Sequence, residues 1–147
     1  MEPGAKLKTW ADLSASLVVA GQEVDSASLL GELQLAASEE LSSAGGVDVY
    51  SGPGWATLTV DERHSKSADE QAAHLVALLG PRKPALDALK AAGKSVKVDV
   101  SGVPESGSAL RISPDVLAGL AELEIPVTFT TVTASGEDEE DPLAWLG

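Results

Sequence analysis

The chain offers few residues of the types that usually carry catalysis or bind metal ions. It has two histidines, His64 and His74, and no cysteine. Asp61, Glu62 and Asp69 lie near His64 in the sequence, and nitrogen and oxygen ligands of this kind can hold a divalent metal ion. However, no His-Glu-x-x-His motif occurs, and a change from loop to helix is predicted between the two histidines. The sequence therefore predicts no metal site and no cofactor.

Nucleophilic and acid–base catalysis are also not predicted. An activated serine needs a neighbouring base, and the Gly-x-Ser-x-Gly elbow that presents such a serine is absent. The Ser- and Gly-rich segments 51–54 and 106–108 fit turns instead. The adjacent carboxylates of Asp61-Glu62 and Glu39-Glu40 share one environment each, whereas acid–base pairs need environments that differ. We therefore expect a protein that is not an enzyme.

The charge of the chain excludes further classes of partner. Lys and Arg number 10 against 23 Asp and Glu, so the net charge is −13. A surface this acidic is repelled by nucleic-acid phosphates. The basic segment 80–83 lacks the Walker pattern of nucleotide-binding loops, and it predicts a helix–helix turn with two exposed cations. No apolar run approaches the length of a membrane span, and no secretory signal precedes the first strand, so we expect a cytoplasmic protein without a membrane partner.

Alternating apolar and polar residues predict the strands. Residues 13–19 alternate in this way, which is typical of a strand with one buried face. Val96 to Val100 alternate with Lys97, Asp99 and Ser101 in the same manner. The remaining strands are predicted at 55–60, at 109–112 and from Ile125 onward, with 47–50 as a further candidate.

Capping residues predict where the helices begin. Asp25 or Ser26 can cap a short Leu-rich helix, and Ser67 with Glu70 has the spacing of a capping box. The apolar stripe that follows Ser67 predicts the longest helix, which ends at Gly80-Pro81. A second helix follows from Lys83 or Pro84 to Ala92, and another begins at Ser113-Pro114-Asp115.

The predicted order of elements is β-α-β-α-α-β-β-α-β. Most of the strands have one polar face, which favours an antiparallel or mixed sheet with helices packed on one face, an α+β fold. Both halves share a strand–helix–strand rhythm, so a ferredoxin-like duplication stays open. We divide the chain into a lead-in (1–11), a single α+β domain (12–134) and an acidic C-terminal tail (135–147).

The C-terminal tail holds the residues that we predict to contact a partner. Its five consecutive acids repel one another and favour a solvated segment. An apolar end follows them, and tryptophan is common in interface hot spots and in linear docking segments. The predicted contact residues are Glu137, Asp138, Glu139, Glu140, Asp141 and Trp145. Trp10 is expected to pack at the start of the first strand, and Trp55 is expected in the core or at its rim.

The domain resembles a small bacterial family known as domain of unknown function 4279. The similar stretches are Trp55 with the helix that bears Leu75 and Leu79, the strand 96–100 and the segment 110–123. The opening also fits, because a strand ending in Gly21 leads to Asp25 and a Leu-rich helix. The likeness covers about residues 12–133, although the last strand lacks the acidic and aromatic ending of the family. This resemblance implies a compact α+β domain with no assigned activity, and small families of this type include immunity-like proteins.

These observations lead to three hypotheses. The first is a non-catalytic protein-binding domain with a basic partner, in its most concrete form a toxin-neutralising (immunity-type) protein, because acidic charge steers association with a cationic protein. The second is a small-molecule-binding or hydrolytic domain with a pocket near Trp55, His64 and His74. The third is a module that self-associates through an exposed strand edge, and we expect a monomer or a weak homodimer.

Overall fold

The computed structural model describes residues 10–35, 46–104 and 107–132. Its five strands are β1 (Ala11–Ala20), β2 (Val47–Gly52), β3 (Trp55–Asp61), β4 (Ser95–Val103) and β5 (Val127–Thr131). Its α-helices in these ranges are α1 (Ser26–Leu33), α2 (Ala68–Leu79), α3 (Lys83–Ala91) and α4 (Pro114–Glu122), and a 3₁₀ helix (Gly80–Arg82) joins α2 to α3. The predicted α+β class is confirmed.

The strands form one mixed sheet in the order β2-β3-β1-β4-β5. β1 lies at the centre and runs antiparallel to both β3 and β4, and β2 is antiparallel to β3. β4 and β5 are parallel. A parallel pair needs a crossover, and α4 provides it. The two halves are connected differently, by the β2–β3 hairpin in one and by the β4–α4–β5 crossover in the other. The ferredoxin-like duplication is therefore not confirmed and stays a prediction.

The predicted order was wrong at two places. Val47–Gly52 is a full strand, whereas residues 109–112 form no strand and follow only an isolated bridge at Ser108. The physical reason is which segment finds a neighbouring strand to pair with. β2 pairs with β3 through a tight hairpin in which Gly52 faces Trp55, whereas β5 takes the position beside β4. The observed order among the described residues is therefore β-α-β-β-α-α-β-α-β.

The core lies between the sheet and the helices. Leu17 of β1, Leu58 of β3 and Val98 of β4 stand side by side in register, and all three are fully buried. Burying a side chain of this size contributes about 1.5–3 kcal/mol relative to leaving it exposed. Trp10 packs against this core, as expected from its place before β1. The helices complete the core with a set of leucines: Leu29, Leu33, Leu75, Leu79, Leu86 and Leu120.

The helix starts follow the predicted caps with one difference. The Asp25 carboxylate accepts a hydrogen bond from Ser28 N at 2.8 Å, which makes Asp25 the cap of α1. Ser67 Oγ accepts from Glu70 N at 3.2 Å, so Ser67 caps α2. The Glu70 carboxylate, however, accepts from Ser65 Oγ at 2.5 Å instead of turning back to the Ser67 backbone. The predicted capping box at α2 is therefore only half formed.

The basic turn at 80–83 connects two helices as predicted, but its cations are half-buried and engaged in contacts. Arg82 donates to Leu33 O and Leu78 O, both at 2.8 Å, and so binds the last carbonyls of α1 and α2. Lys83 Nζ lies 2.7 Å from the Glu124 carboxylate and 3.1 Å from that of Asp87. These contacts correct the prediction of two exposed cations.

Candidate functional site

One face of the sheet presents side chains that the helices do not cover. Along β1, β3 and β4 every second residue points to the helices and is mostly buried, whereas the alternate residues are half-buried or exposed. The edge strands β2 and β5 are less covered, and Phe129 on the helix side of β5 is 49% exposed. We call the face of the alternate residues the open face. It is made of Ser14, Ser16, Val18, Asp48, Tyr50, Trp55, Thr57, Thr59, Asp61, Lys97, Asp99, Ser101, Thr128 and Thr130.

Two aromatic rings lie at one end of the open face. Trp55 pairs with Gly52 on β2 and with Ala20 on β1, and Tyr50 pairs with Thr57 one row further along. Trp55 is 40% exposed and Tyr50 is 50% exposed, although the chain has only five aromatic residues. The indole of Trp55 lies over Gly52, because a Cβ on that glycine would be 2.5 Å from the indole nitrogen. Gly52 thus makes room for the ring.

A band of hydroxyl groups occupies the middle of the open face. Ser16 and Thr59 are joined by a hydrogen bond of 2.8 Å, and Ser14 and Ser101 by one of 3.2 Å. Thr57 lies beside them, with its hydroxyl 3.3 Å from that of Thr59. Because these hydroxyls already bond to one another on rigid strands, they offer further hydrogen bonds from fixed positions.

Carboxylates stand on both sides of this band. Asp99 Oδ1 accepts hydrogen bonds from Thr128 Oγ1 at 2.5 Å and from Thr130 Oγ1 at 2.7 Å. On the other side Arg63 bridges Asp48 and Asp61, with 2.9 Å between Arg63 Nη2 and Asp61 Oδ2. The open face is thus a fixed platform with an aromatic end, a polar middle and flanks that carry three acids together with Arg63 and Lys97. This combination suits contact with a surface that presents apolar and basic groups.

The two histidines lie together, contrary to expectation. Their rings stack with centroids 4.3 Å apart and planes at 25°. Rings stacked in this way direct their nitrogen lone pairs within separate, nearly parallel planes, so they do not converge on one metal ion. Within the described ranges no group of three or more metal-ligating side chains is found. No helix in the same ranges is long and apolar enough to cross a membrane.

Trp55 does not share a pocket with the histidines. It begins β3, whereas His64 follows Asp61 at the other end of that strand. Six steps along a strand separate Trp55 from Asp61, a distance of about 20 Å. Within the described part of the chain, Trp55 and the two histidines are therefore not brought together in one pocket, and the small-molecule alternative stays a prediction. Trp55 also does not belong to the core, because it shares its face with Thr57 and Thr59.

The predicted contact residues of the tail lie outside the described residues. These are Glu137, Asp138, Glu139, Glu140, Asp141 and Trp145. β5, at one edge of the sheet, is the last strand before them in the chain. Their role in binding a partner stays a prediction.

The sequence analysis missed Tyr50 and Asp99 as site residues. The alternation of apolar and polar residues in β4 contained a signal for Asp99. Val96 to Val100 predict a buried face, which leaves Asp99 on the opposite side with Lys97. In β3 the positions of Thr57 and Thr59 place Trp55 on the polar face as well. The position of Tyr50 depends on its pairing with β3, and that pairing is a long-range property that the local pattern does not contain.

Comparisons with known proteins returned no match: no family model fits the chain, and no curated protein or solved structure is similar to it. The resemblance to domain of unknown function 4279 accordingly stays a prediction.

Proposed function

We propose that this chain is a non-catalytic protein-binding domain whose open face contacts a basic partner. The observation that carries the proposal is the pair of half-exposed rings, Trp55 and Tyr50, on one rigid face. Tryptophan and tyrosine dominate binding energy at protein interfaces because they bury a large area with few rotatable bonds. Three of the five aromatic residues are 40–50% exposed, and Tyr50 and Trp55 are the two that share the open face, whereas Phe129 pairs with Val100 on the opposite face.

Charge supports a basic partner. Asp48, Asp61 and Asp99 flank the aromatic and hydroxyl groups together with Arg63 and Lys97, which leaves one more acid than base there, and the whole chain carries a net charge of −13. Opposite charges steer association and mainly raise its rate. The five acids of 137–141 would add to this attraction, and Trp145 would add an apolar contact. A toxin-neutralising role in the cytoplasm, performed by a monomer or weak homodimer, is the most concrete form of the proposal.

Site-specific photo-crosslinking tests this function. A photoreactive amino acid is placed at Thr57 on the open face, and a matched one at Ala118, an exposed position on α4. Both full-length proteins are irradiated in lysate of the producing organism. We expect one basic protein to crosslink through position 57 and not through position 118. The same adduct should disappear when Trp55→Ala is added to the Thr57 variant.

The outcome that contradicts the proposal is equally defined. Equal crosslinking from both positions, or an adduct from Thr57 that Trp55→Ala leaves unchanged, would assign binding to another surface. The contribution of the tail is measured separately by replacing 137–141 with Ser and Gly in the purified pair. We expect slower association and a weaker dependence on salt, since charge acts on the encounter rate.

A further inference from the structure

A cavity of about 150 Å³ lies between the end of β1, α1 and the end of α3. Its inner wall is apolar and comes from Val19, Val24, Leu29 and Leu89. All four side chains are at most 7% exposed, so they belong to the protein core and hold the shape of the cavity. The volume of the cavity is about that of a closed apolar cavity that holds benzene, although this cavity opens to solvent and has polar residues on that side.

The solvent side of the cavity is polar and carries an excess of negative charge. Glu23, Glu32 and Lys94 line it together with Gln22, and both glutamates are exposed. The Lys94 ammonium donates to Gln22 O at 2.7 Å, and its stem lies against Gly21, where an added Cβ would be 2.7 Å from Lys94 Cδ. The Lys94 ammonium is therefore held by a backbone carbonyl, and the two lining glutamates, Glu23 and Glu32, are both exposed.

The backbone of this rim adopts an uncommon conformation. Glu23 has a φ of +66°, in the left-handed region that residues with a side chain seldom occupy. Asp12, Gln34 and Glu124 share this conformation, and at Glu23 it belongs to the tight turn between β1 and α1. Asp25, two residues later, holds the start of α1 through its bond to Ser28 N. The turn that presents Glu23 is thus fixed between the end of β1 and the cap of α1.

We infer that this cavity binds a small organic amine with a ring or a branched alkyl group. The apolar wall takes the hydrocarbon body, and the Glu23 and Glu32 carboxylates attract the ammonium group at the opening. The volume limits the body to about one six-membered ring. The lining residues of the cavity are not those of the open face, although the cavity lies at the end of the sheet where Trp55 pairs with Ala20.

The test is a titration of the full chain, labelled with ¹⁵N, with three ligands of one shape. Benzylamine is cationic, benzyl alcohol is neutral and benzoate is anionic at neutral pH. We expect saturable shifts at the amides of Val24, Leu29 and Leu89. Benzylamine should bind about two- to five-fold more tightly than benzyl alcohol, the range of an exposed ion pair, and benzoate should bind most weakly.

Two variants and one control separate charge from shape. Glu32→Gln should remove most of the preference for benzylamine, whereas Glu122→Gln on α4 loses the same charge away from the cavity and should leave the preference unchanged. Val24→Phe should fill the cavity and weaken the binding of all three ligands. Should that variant fail to fold, Glu32→Gln still decides, because its side chain is exposed. Absence of saturable shifts, shifts confined to other residues, or equal affinity for the three ligands would overturn the inference.

Discussion

Arg82 offers the sharpest test of how the helices are held together. Its guanidinium donates to Leu33 O at the end of α1 and to Leu78 O near the end of α2, both at 2.8 Å. Carbonyls at helix ends have no partner within their own helix, so an outside donor must satisfy them. Arg82→Met keeps the length of the apolar stem and removes every donor. The variant therefore removes both of these hydrogen bonds together with the positive charge of the guanidinium.

The expected loss of unfolding free energy in Arg82→Met is calculated from the two hydrogen bonds. A hydrogen bond to a charged group contributes about 1.5–3 kcal/mol, and the lower end applies because half-burial lets water reach the carbonyls in the variant. Two such bonds give about 3 kcal/mol of unfolding free energy. For a chain of this size each kcal/mol shifts Tm by about 2–4 °C, so Tm should fall by about 6–12 °C.

Urea unfolding followed by far-ultraviolet circular dichroism measures this loss. Lys66→Met is the matched control, since it removes one positive charge from an exposed turn and should change stability by less than about 0.5 kcal/mol. A loss for Arg82→Met that is no larger than the loss for the control would refute the reasoning. It would mean that water satisfies the two carbonyls as well as the guanidinium does.

Two further predictions concern an ion network and a glycine pair. Hydrogen bonds to Glu124 and Asp87 raise the pKa of Lys83, and the bond from Lys83 lowers the pKa of each carboxyl. The network should therefore stabilise the folded protein at neutral pH, and this stabilisation should be lost on acidification through the lowered carboxyl pKa values and on alkalinisation through the raised lysine pKa. In urea unfolding at a series of pH values, Lys83→Met should reduce the fall in unfolding free energy on both the acidic and the alkaline side. If both falls are unchanged, the network is not their cause. Gly46 has a φ of +83° and its added Cβ would be 2.3 Å from His64 N, whereas Gly93 has a φ of +87° and no heavy atom within 4 Å. Gly93→Ala should cost about 1 kcal/mol from strain alone, and Gly46→Ala about 3 kcal/mol because a clash is added; equal losses in thermal unfolding would contradict the contact.

The parts of the fold that depend on local periodicity could be predicted from the sequence. Val96 and Val98 were expected to point inward, and both are buried. Ser67 and Ser113 were expected to cap helices, and both hydroxyls accept a bond from a backbone N–H of the first turn. Patterns of this kind report which face of an element is apolar, and they hold wherever that element packs against one core.

The parts that depend on contacts between distant segments could not be predicted in the same way. The histidine stack forms because the turn after β3 is held on α2. Buried Gln71 of α2 donates to Ser65 O at 2.8 Å and to Leu13 O at 3.1 Å, which ties that turn to β1. Neither bond leaves a local trace in the sequence. Likewise residues 109–112 alternate like a strand, yet their composition does not show that β5 takes the place beside β4.

The central place of β1 has a consequence for the order of folding. Ser14 and Ser101 bond across the sheet although 87 residues separate them in the chain. β1 therefore obtains β4, one of its two neighbours, only after Ser95–Val103 has been synthesised. Long-range pairing of this kind slows folding and leaves an unpaired strand edge exposed meanwhile. This protein therefore most needs protection from aggregation after β1, β2 and β3 have been synthesised and before β4 can pair with β1.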